Sequence, residues 1–69
     1  MQELKEELEQ VFKNANVEKW IGGYKVTGLN EIDSYQMADL IAVEQDSNFI
    51  EGVNIKRSGA GLTVIIHTF

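Results

Sequence analysis

The chain contains no cysteine and only one histidine among its 69 residues. The absence of cysteine excludes disulfide bonds, and it also excludes zinc and iron–sulfur sites that depend on thiolate ligands. Apolar runs such as Val64–Ile66 are far shorter than the ~20 residues that a membrane-spanning helix needs. Positive charge is also scarce, because eleven carboxylates outnumber six Lys and Arg and give a net charge of −5. This balance argues against a protein that binds a nucleic-acid backbone.

A length of 69 residues predicts one small domain that spans residues 1–69. A chain of this size buries only about 60% of the surface that its unfolded form exposes, so its stability gains from a partner. The hydrophobic fraction of 43% is nevertheless sufficient for a globular core. The first residues are acidic instead of a basic segment followed by an apolar one, which predicts no targeting signal. A soluble, cytoplasmic protein is therefore the expectation.

The clearest helix is predicted from Gln2 to about Ala15. One stripe along this segment is apolar, with side chains at helical spacing: Leu4, Leu8, Val11, Phe12 and Ala15. Residues 14–16, Asn-Ala-Asn, form the natural break after it. Residues 17–29 then predict a hairpin whose loop is Gly22-Gly23, with Ile21 opposite Tyr24, Lys19 opposite Val26 and Trp20 opposite Lys25. The alternative is that the two glycines end a second short helix near Ile21.

A second helix is predicted from Asp33 to Asp46. Asp33 and Gln36 have the spacing of a capping box. Its apolar face is predicted to comprise Met37, Leu40, Ile41 and Glu44, with Val43 at the edge. The competing interpretation is a strand over residues 37–45 that turns at residues 46–48.

The strongest β pattern lies between Phe49 and Phe69. Two runs rich in β-branched residues flank a four-residue loop at residues 58–61, and pairing of Arg57 with Leu62 places Ile55 opposite Val64 and Val53 opposite Ile66. These residues would form an apolar face for the helices to cover. The opposite face is mixed but still partly apolar: Ile50, Asn54, Lys56, Thr63, Ile65, His67 and Phe69.

The predicted fold class is α+β. It consists of an N-terminal amphipathic helix, a short central hairpin or strand, a second helix and a C-terminal β-hairpin, with the helices packed on one face of a small antiparallel sheet. An exposed C-terminal strand would invite pairing with another chain, and so would the partly apolar second face. We therefore expect a homo-oligomer, most simply a dimer, that associates through this strand or through Ile50, Ile65 and Phe69.

The motifs that suggest chemistry are weak. The Gly59–Gly61 loop precedes a strand instead of the helix N-terminus that a phosphate site requires, so a hairpin turn explains it. His67 has no second histidine or cysteine to complete a metal site, and no nucleophile motif accompanies it. The alternation of Glu44, Asp46 and Asn48 fails as a calcium loop, because Phe49 and Ile55 occupy its required Gly and Glu positions. We therefore predict no catalytic residues, no metal and no cofactor.

One charge feature stands out. Between Val26 and Ile55 there are six carboxylates and no Lys or Arg, namely Glu31, Asp33, Asp39, Glu44, Asp46 and Glu51. Such a block either keeps the surface solvated or forms a docking surface for a partner's basic patch.

The leading hypothesis is a non-catalytic protein-binding module, a small acidic regulator, adaptor or inhibitor of the kind that phage and other mobile elements encode. It would act by occupying a partner's basic surface. Three alternatives remain open. One is a nucleic-acid-binding module that uses Lys56, Arg57 and aromatic residues (Trp20, Tyr24, Tyr35); another is a purely structural, homo-oligomerising subunit. The third is a small enzyme or metal protein.

Overall fold

A computed structural model describes residues 4–69, which fold into two helices and four strands. In chain order these are α1 (Leu4–Val11), β1 (Asn16–Trp20), β2 (Gly23–Leu29), α2 (Ser34–Asp46), β3 (Ile50–Ser58) and β4 (Gly61–Thr68). The predicted α+β class and the order of its elements are confirmed. Neither helix of this described part is long and apolar enough to cross a membrane.

The four strands form one antiparallel sheet in the order β1-β2-β4-β3. The C-terminal strand β4 therefore lies inside the sheet, and the prediction that it forms an exposed edge is wrong. Three consecutive residues of β4, Val64, Ile65 and Ile66, are buried. An interior strand has both of its edges paired, and side chains of two neighbouring strands flank its own on each face, so this position suits a strand that is apolar on both faces. The edges of the sheet are β1 and β3.

Both helices cover the same face of the sheet. Leu8 and Phe12 enter the core from α1 and the turn that follows it, and both are completely buried. Leu40 of α2 joins them above the sheet residues Val26 and Ile66, which are also completely buried. The apolar stripe predicted for the first segment thus contributes to the core.

Helix α1 is shorter than predicted, since it ends at Val11 instead of near Ala15. Phe12 and Ala15 still pack on the core, but from a turn in which the Ala15 amide donates to the Phe12 carbonyl at 3.1 Å. The chain must reverse here to bring Val17 into the core from β1, and a longer helix would carry it past the sheet. Gln2, the predicted first residue of this helix, lies outside the described residues.

Helix α2 is confirmed, together with its capping box. The Gln36 amide donates to Asp33 Oδ1 at 2.7 Å, and the Asp33 amide donates to Gln36 Oε1 at 3.1 Å. The buried face is rotated from the predicted one. Val43 packs against the core, whereas Ile41 is 45% exposed.

The central hairpin forms, but two residues out of the predicted register. Its loop is Ile21-Gly22, with Gly22 at φ 77°, and Gly23 already belongs to β2 opposite Trp20. Lys19 therefore pairs with Tyr24 instead of Val26. Because the shift is an even number of residues, each side chain keeps its predicted face.

The C-terminal hairpin has the predicted register, with Arg57 opposite Leu62. Its loop comprises only Gly59 and Ala60, and Gly59 adopts φ 61° at the first loop position, where two-residue hairpins favour glycine. The placement of Ile50 on the second face is wrong. A β-bulge between Ile50 and Gly52 shifts the register, so that Ile50 faces the helices and is buried in the core.

Candidate interaction surfaces

Charge is separated between the two layers of the protein. The helical layer and its connecting loops, residues 4–15 and 30–48, carry eight carboxylates and two lysines. The strands and hairpin loops, residues 16–29 and 49–69, carry two carboxylates and four Lys or Arg. The helical layer is therefore strongly negative, and the sheet is weakly positive. This arrangement gives the molecule one face with a predominantly negative potential.

The acidic residues predicted as a partner-binding surface do not form one cluster. Glu31 precedes α2 and lines an open groove together with Asp39 and Lys13, at the end of the molecule where α1 ends. Asp46 is the last residue of α2, at the opposite end of that helix. Glu51 lies in the edge strand β3, away from the helical sequence. The set is therefore a strip along α2 with one outlying member.

Two members of the acidic set are partly engaged within the fold. The Asp33 carboxylate caps α2, so its charge also stabilises the N-terminus of the helix. Glu44 is half-buried, whereas Asp39 and Asp46 are exposed. The side chains most accessible to a partner on α2 are thus Asp39 and Asp46.

The outer surface of α2 is less polar than a helix surface in contact with water usually is. Tyr35 is 82% exposed and Ile41 45% exposed. Ala38, which lies between them in the sequence, and Ala42, which directly follows Ile41, are also exposed. Helical spacing places Tyr35, Ala38 and Ala42 on one stripe, because they are three and four residues apart. The sequence shows that α2 is rich in apolar residues, and this richness predicted its buried face. Which of these residues are buried and which are exposed depends on how the helix is rotated about its axis, and the sequence did not reveal that rotation.

A second exposed apolar region lies at one end of the sheet, and we call it the apolar end. It consists of Trp20, Ile21, Phe49 and Phe69, which are 44%, 91%, 71% and 83% exposed, respectively. Backbone hydrogen bonds hold these segments together. The Thr68 amide donates to the Gly22 carbonyl at 2.8 Å, and the Phe69 amide donates to the Phe49 carbonyl at 2.9 Å. A groove here is also lined by Glu7 and Asp46, so the apolar end borders the acidic layer.

The residues predicted for self-association are separated by the fold. Phe69 is exposed at the apolar end, and Ile65 lies on the face without helices but is only 9% exposed between neighbouring strands. Ile50 is in the core. These three residues therefore do not form one surface.

The residues predicted for nucleic-acid binding are also dispersed. Lys56 pairs with Thr63 and Arg57 with Leu62, so their side chains point to opposite faces of β3. The aromatic residues likewise occupy different layers, because Tyr35 is on α2 and Tyr24 is half-buried beneath the helices. Trp20 is in contact with Lys25, whose Nζ lies 4.4 Å from the centre of the indole ring. No continuous stacking platform results among the described residues.

His67 is exposed on the face without helices, between Gly23 of β2 and Gly52 of β3. Within residues 4–69, no group of three or more His, Cys, Asp or Glu side chains is placed to hold a metal ion. The glycine loop at residues 59–60 is a tight hairpin turn, as the sequence predicted.

The chain matches no protein-family model, no curated protein and no solved structure. Its function must therefore be argued from its own surfaces.

Proposed function

We propose that this protein is a non-catalytic protein-binding module, a small acidic regulator, adaptor or inhibitor that occupies a basic surface of its partner. The observation that carries this proposal is the separation of charge between the layers. The helical layer has eight carboxylates against two lysines, and α2 contains no basic residue. A one-signed surface of this kind attracts a complementary patch and accelerates its encounter. A cytoplasmic location, where such partners are abundant, belongs to the same proposal.

The exposed apolar groups favour a protein over a nucleic acid as the partner. Protein interfaces have aromatic and aliphatic centres with polar rims. Tyr35 and Ile41 supply such groups on α2 beside Asp39 and Asp46. The apolar end continues the same arrangement, because Asp46 lines the groove that contains Phe49. A partner that binds along the length of α2 would contact the carboxylates and the exposed apolar side chains at the same time.

The proposal is tested by charge reversal on α2 with a matched control on the sheet. In the double variant Asp39→Lys with Asp46→Lys, the helix-dipole effects of the two lysines oppose each other, because one lies near the first turns and the other in the last. The control is Glu18→Lys, which reverses the charge of an exposed side chain on strand β1 of the sheet. Tagged protein is used to recover partners from cell extract at several salt concentrations, and mass spectrometry identifies them.

We expect a basic partner to be recovered with the wild-type chain and with Glu18→Lys, and to be lost with the α2 double variant. Recovery should also decline as salt is raised, because exposed charges are screened. Equal recovery of the partner by the double variant would contradict the proposal. Salt-sensitive retention on single-stranded DNA, abolished by Lys56→Glu, would instead support the nucleic-acid alternative.

A further inference from the structure

The groove at the apolar end is lined by aromatic residues. Its volume is about 810 Å³, within the range of about 300–1,000 Å³ found for small-ligand sites. Phe49 and Phe69 are largely exposed, and their backbones are held in place, because the Phe49 amide donates to Ser47 Oγ at 3.2 Å and the Phe69 amide donates to the Phe49 carbonyl. Of the other aromatic residues here, Tyr24 is half-buried and Trp20 already has a lysine beside its ring. The two phenylalanine rings are therefore the most accessible to a partner.

Asp46 lies in this groove at a position where a carboxylate does not favour the fold. It is the last residue of α2, where the carbonyl groups at the helix end already carry a partial negative charge. The last turn of α2 contains no basic residue that would offset these charges.

The other charged residues of the groove do not remove this excess. Glu7 has a local role, because it lies in the first turn of α1, where a negative charge is favourable. Among the described residues that line the groove, Lys19 is the only cation. The end of the groove formed by α2 is therefore a negative site, and a cation from outside would be attracted to it.

We propose that this groove binds an arginine side chain of the protein partner, an inference that rests on the proposed function and adds an anchor to it. A guanidinium group stacks on aromatic rings and donates two parallel hydrogen bonds to a carboxylate. The groove offers both kinds of group, in the rings of Phe49 and Phe69 and the carboxylate of Asp46. A lysine ammonium is a compact and strongly hydrated charge, so it would use the rings less well. Arginine is also one of the residues that most often dominate the binding energy of a protein interface.

A second copy of this chain fits the groove poorly. The chain has a single arginine, Arg57, and a net charge of −5, so two copies repel each other. The groove also borders the acidic helical layer, for which the proposed partner is basic. A basic partner can therefore insert an arginine here while its other positive groups face α2.

The test uses Trp20 as an optical reporter, because it is the only tryptophan of the chain and lines the groove. The probe is the peptide Gly-Leu-Arg-Leu-Gly with acetyl and amide ends, added up to about 10 mM, since one anchor gives an affinity near the millimolar range. A matched peptide replaces arginine by citrulline, which has a similar shape but no charge. We expect a saturable change in Trp20 emission with the arginine peptide and an affinity at least about fivefold lower with the citrulline peptide.

Two variants separate the contributions of charge and ring. Asp46→Asn should weaken the arginine peptide at least about fivefold and at the same time raise Tm by a few degrees, because it removes an unfavourable charge from the helix end. Glu9→Gln, which neutralises an exposed carboxylate of α1 outside the groove, is the control and should leave the affinity unchanged. Phe49→Leu keeps an apolar side chain but removes the ring, and it should weaken the arginine peptide at least about threefold. Circular dichroism verifies that each variant is folded.

Four results would overturn this inference. The first is an equal response to the two peptides, or no response to either. The second is an unchanged affinity in Asp46→Asn, and the third is a lower Tm in that variant, which would show that the fold itself needs the carboxylate. The fourth is Trp20 emission that changes with protein concentration alone and no longer does so in Arg57→Ala, because a second copy would then occupy the groove.

These experiments use synthetic peptides, so their outcome is separate from that of the proposed function. If the arginine peptide binds as expected but the α2 double variant still recovers the partner, the proposed function alone is contradicted. If the double variant loses the partner but the arginine and citrulline peptides behave alike, only the arginine anchor is contradicted.

Discussion

Replacement of Gly23 by alanine should strongly destabilise the protein. Gly23 is the first residue of β2 and lies against β4, where a Cβ would be 1.7 Å from the Ile66 carbonyl oxygen. Contacts of a real Cβ with backbone atoms are essentially never shorter than 3.0 Å, so the backbones of β2 and β4 must separate by more than an ångström. These are the two central strands of the sheet. The clash thus acts on the ladder that joins the two hairpins.

The expected cost is about 2–4 kcal/mol. Inserting a methyl group into well-packed surroundings typically costs about 1–3 kcal/mol, and each weakened backbone hydrogen bond adds about 1 kcal/mol. A domain of this length has a free energy of unfolding of about 3.5–10 kcal/mol. The loss is therefore a large share of the total, and it corresponds to a fall in Tm of roughly 10–30 °C.

Gly52→Ala is the matched control, because it makes the same substitution in a strand where the added methyl group meets no atom. It should be neutral or stabilise the fold by about 0.5 kcal/mol, since alanine loses less conformational entropy on folding. Both variants are compared with the wild-type chain by thermal and urea denaturation at about 5 µM, below the concentrations at which weak dimers form. If Gly23→Ala melts within about 3 °C of Gly52→Ala, the close approach of β2 to β4 is refuted.

Two further pairs of substitutions test the core and the helix cap by the same denaturation experiments. Phe12→Ala removes a completely buried ring and should lower the free energy of unfolding by about 3–5 kcal/mol. Phe69→Ala, at an 83% exposed position, should change it by less than about 0.5 kcal/mol, and similar losses in the two variants would contradict the assigned core. Asp33→Ala removes one side of the capping box and should cost about 1 kcal/mol, or a Tm lower by roughly 4–8 °C. Ser34→Ala serves as its control, and an equal effect of the two substitutions would show that the cap contributes little.

The sequence predicted best those features that depend on local pattern. The register of β3 and β4 follows from alternating β-branched residues around a short glycine loop, and the structure confirms the pairing of Val53 with Ile66. The N-terminus of α2 follows from the spacing of Asp33 and Gln36, because a capping box involves only four consecutive residues. In both cases the interacting groups are close in sequence.

The errors arose where distant segments decide the outcome. Gly23 was assigned to a turn because glycine usually marks one, whereas its actual constraint is the backbone of β4, more than forty residues away. Ile50 was assigned to the wrong face because the bulge after it breaks the two-residue alternation. The strand order that places β4 inside the sheet is likewise a long-range property. For the candidate surfaces, composition revealed the acidic block, but only the packing of α2 distinguished exposed Ile41 from buried Leu40.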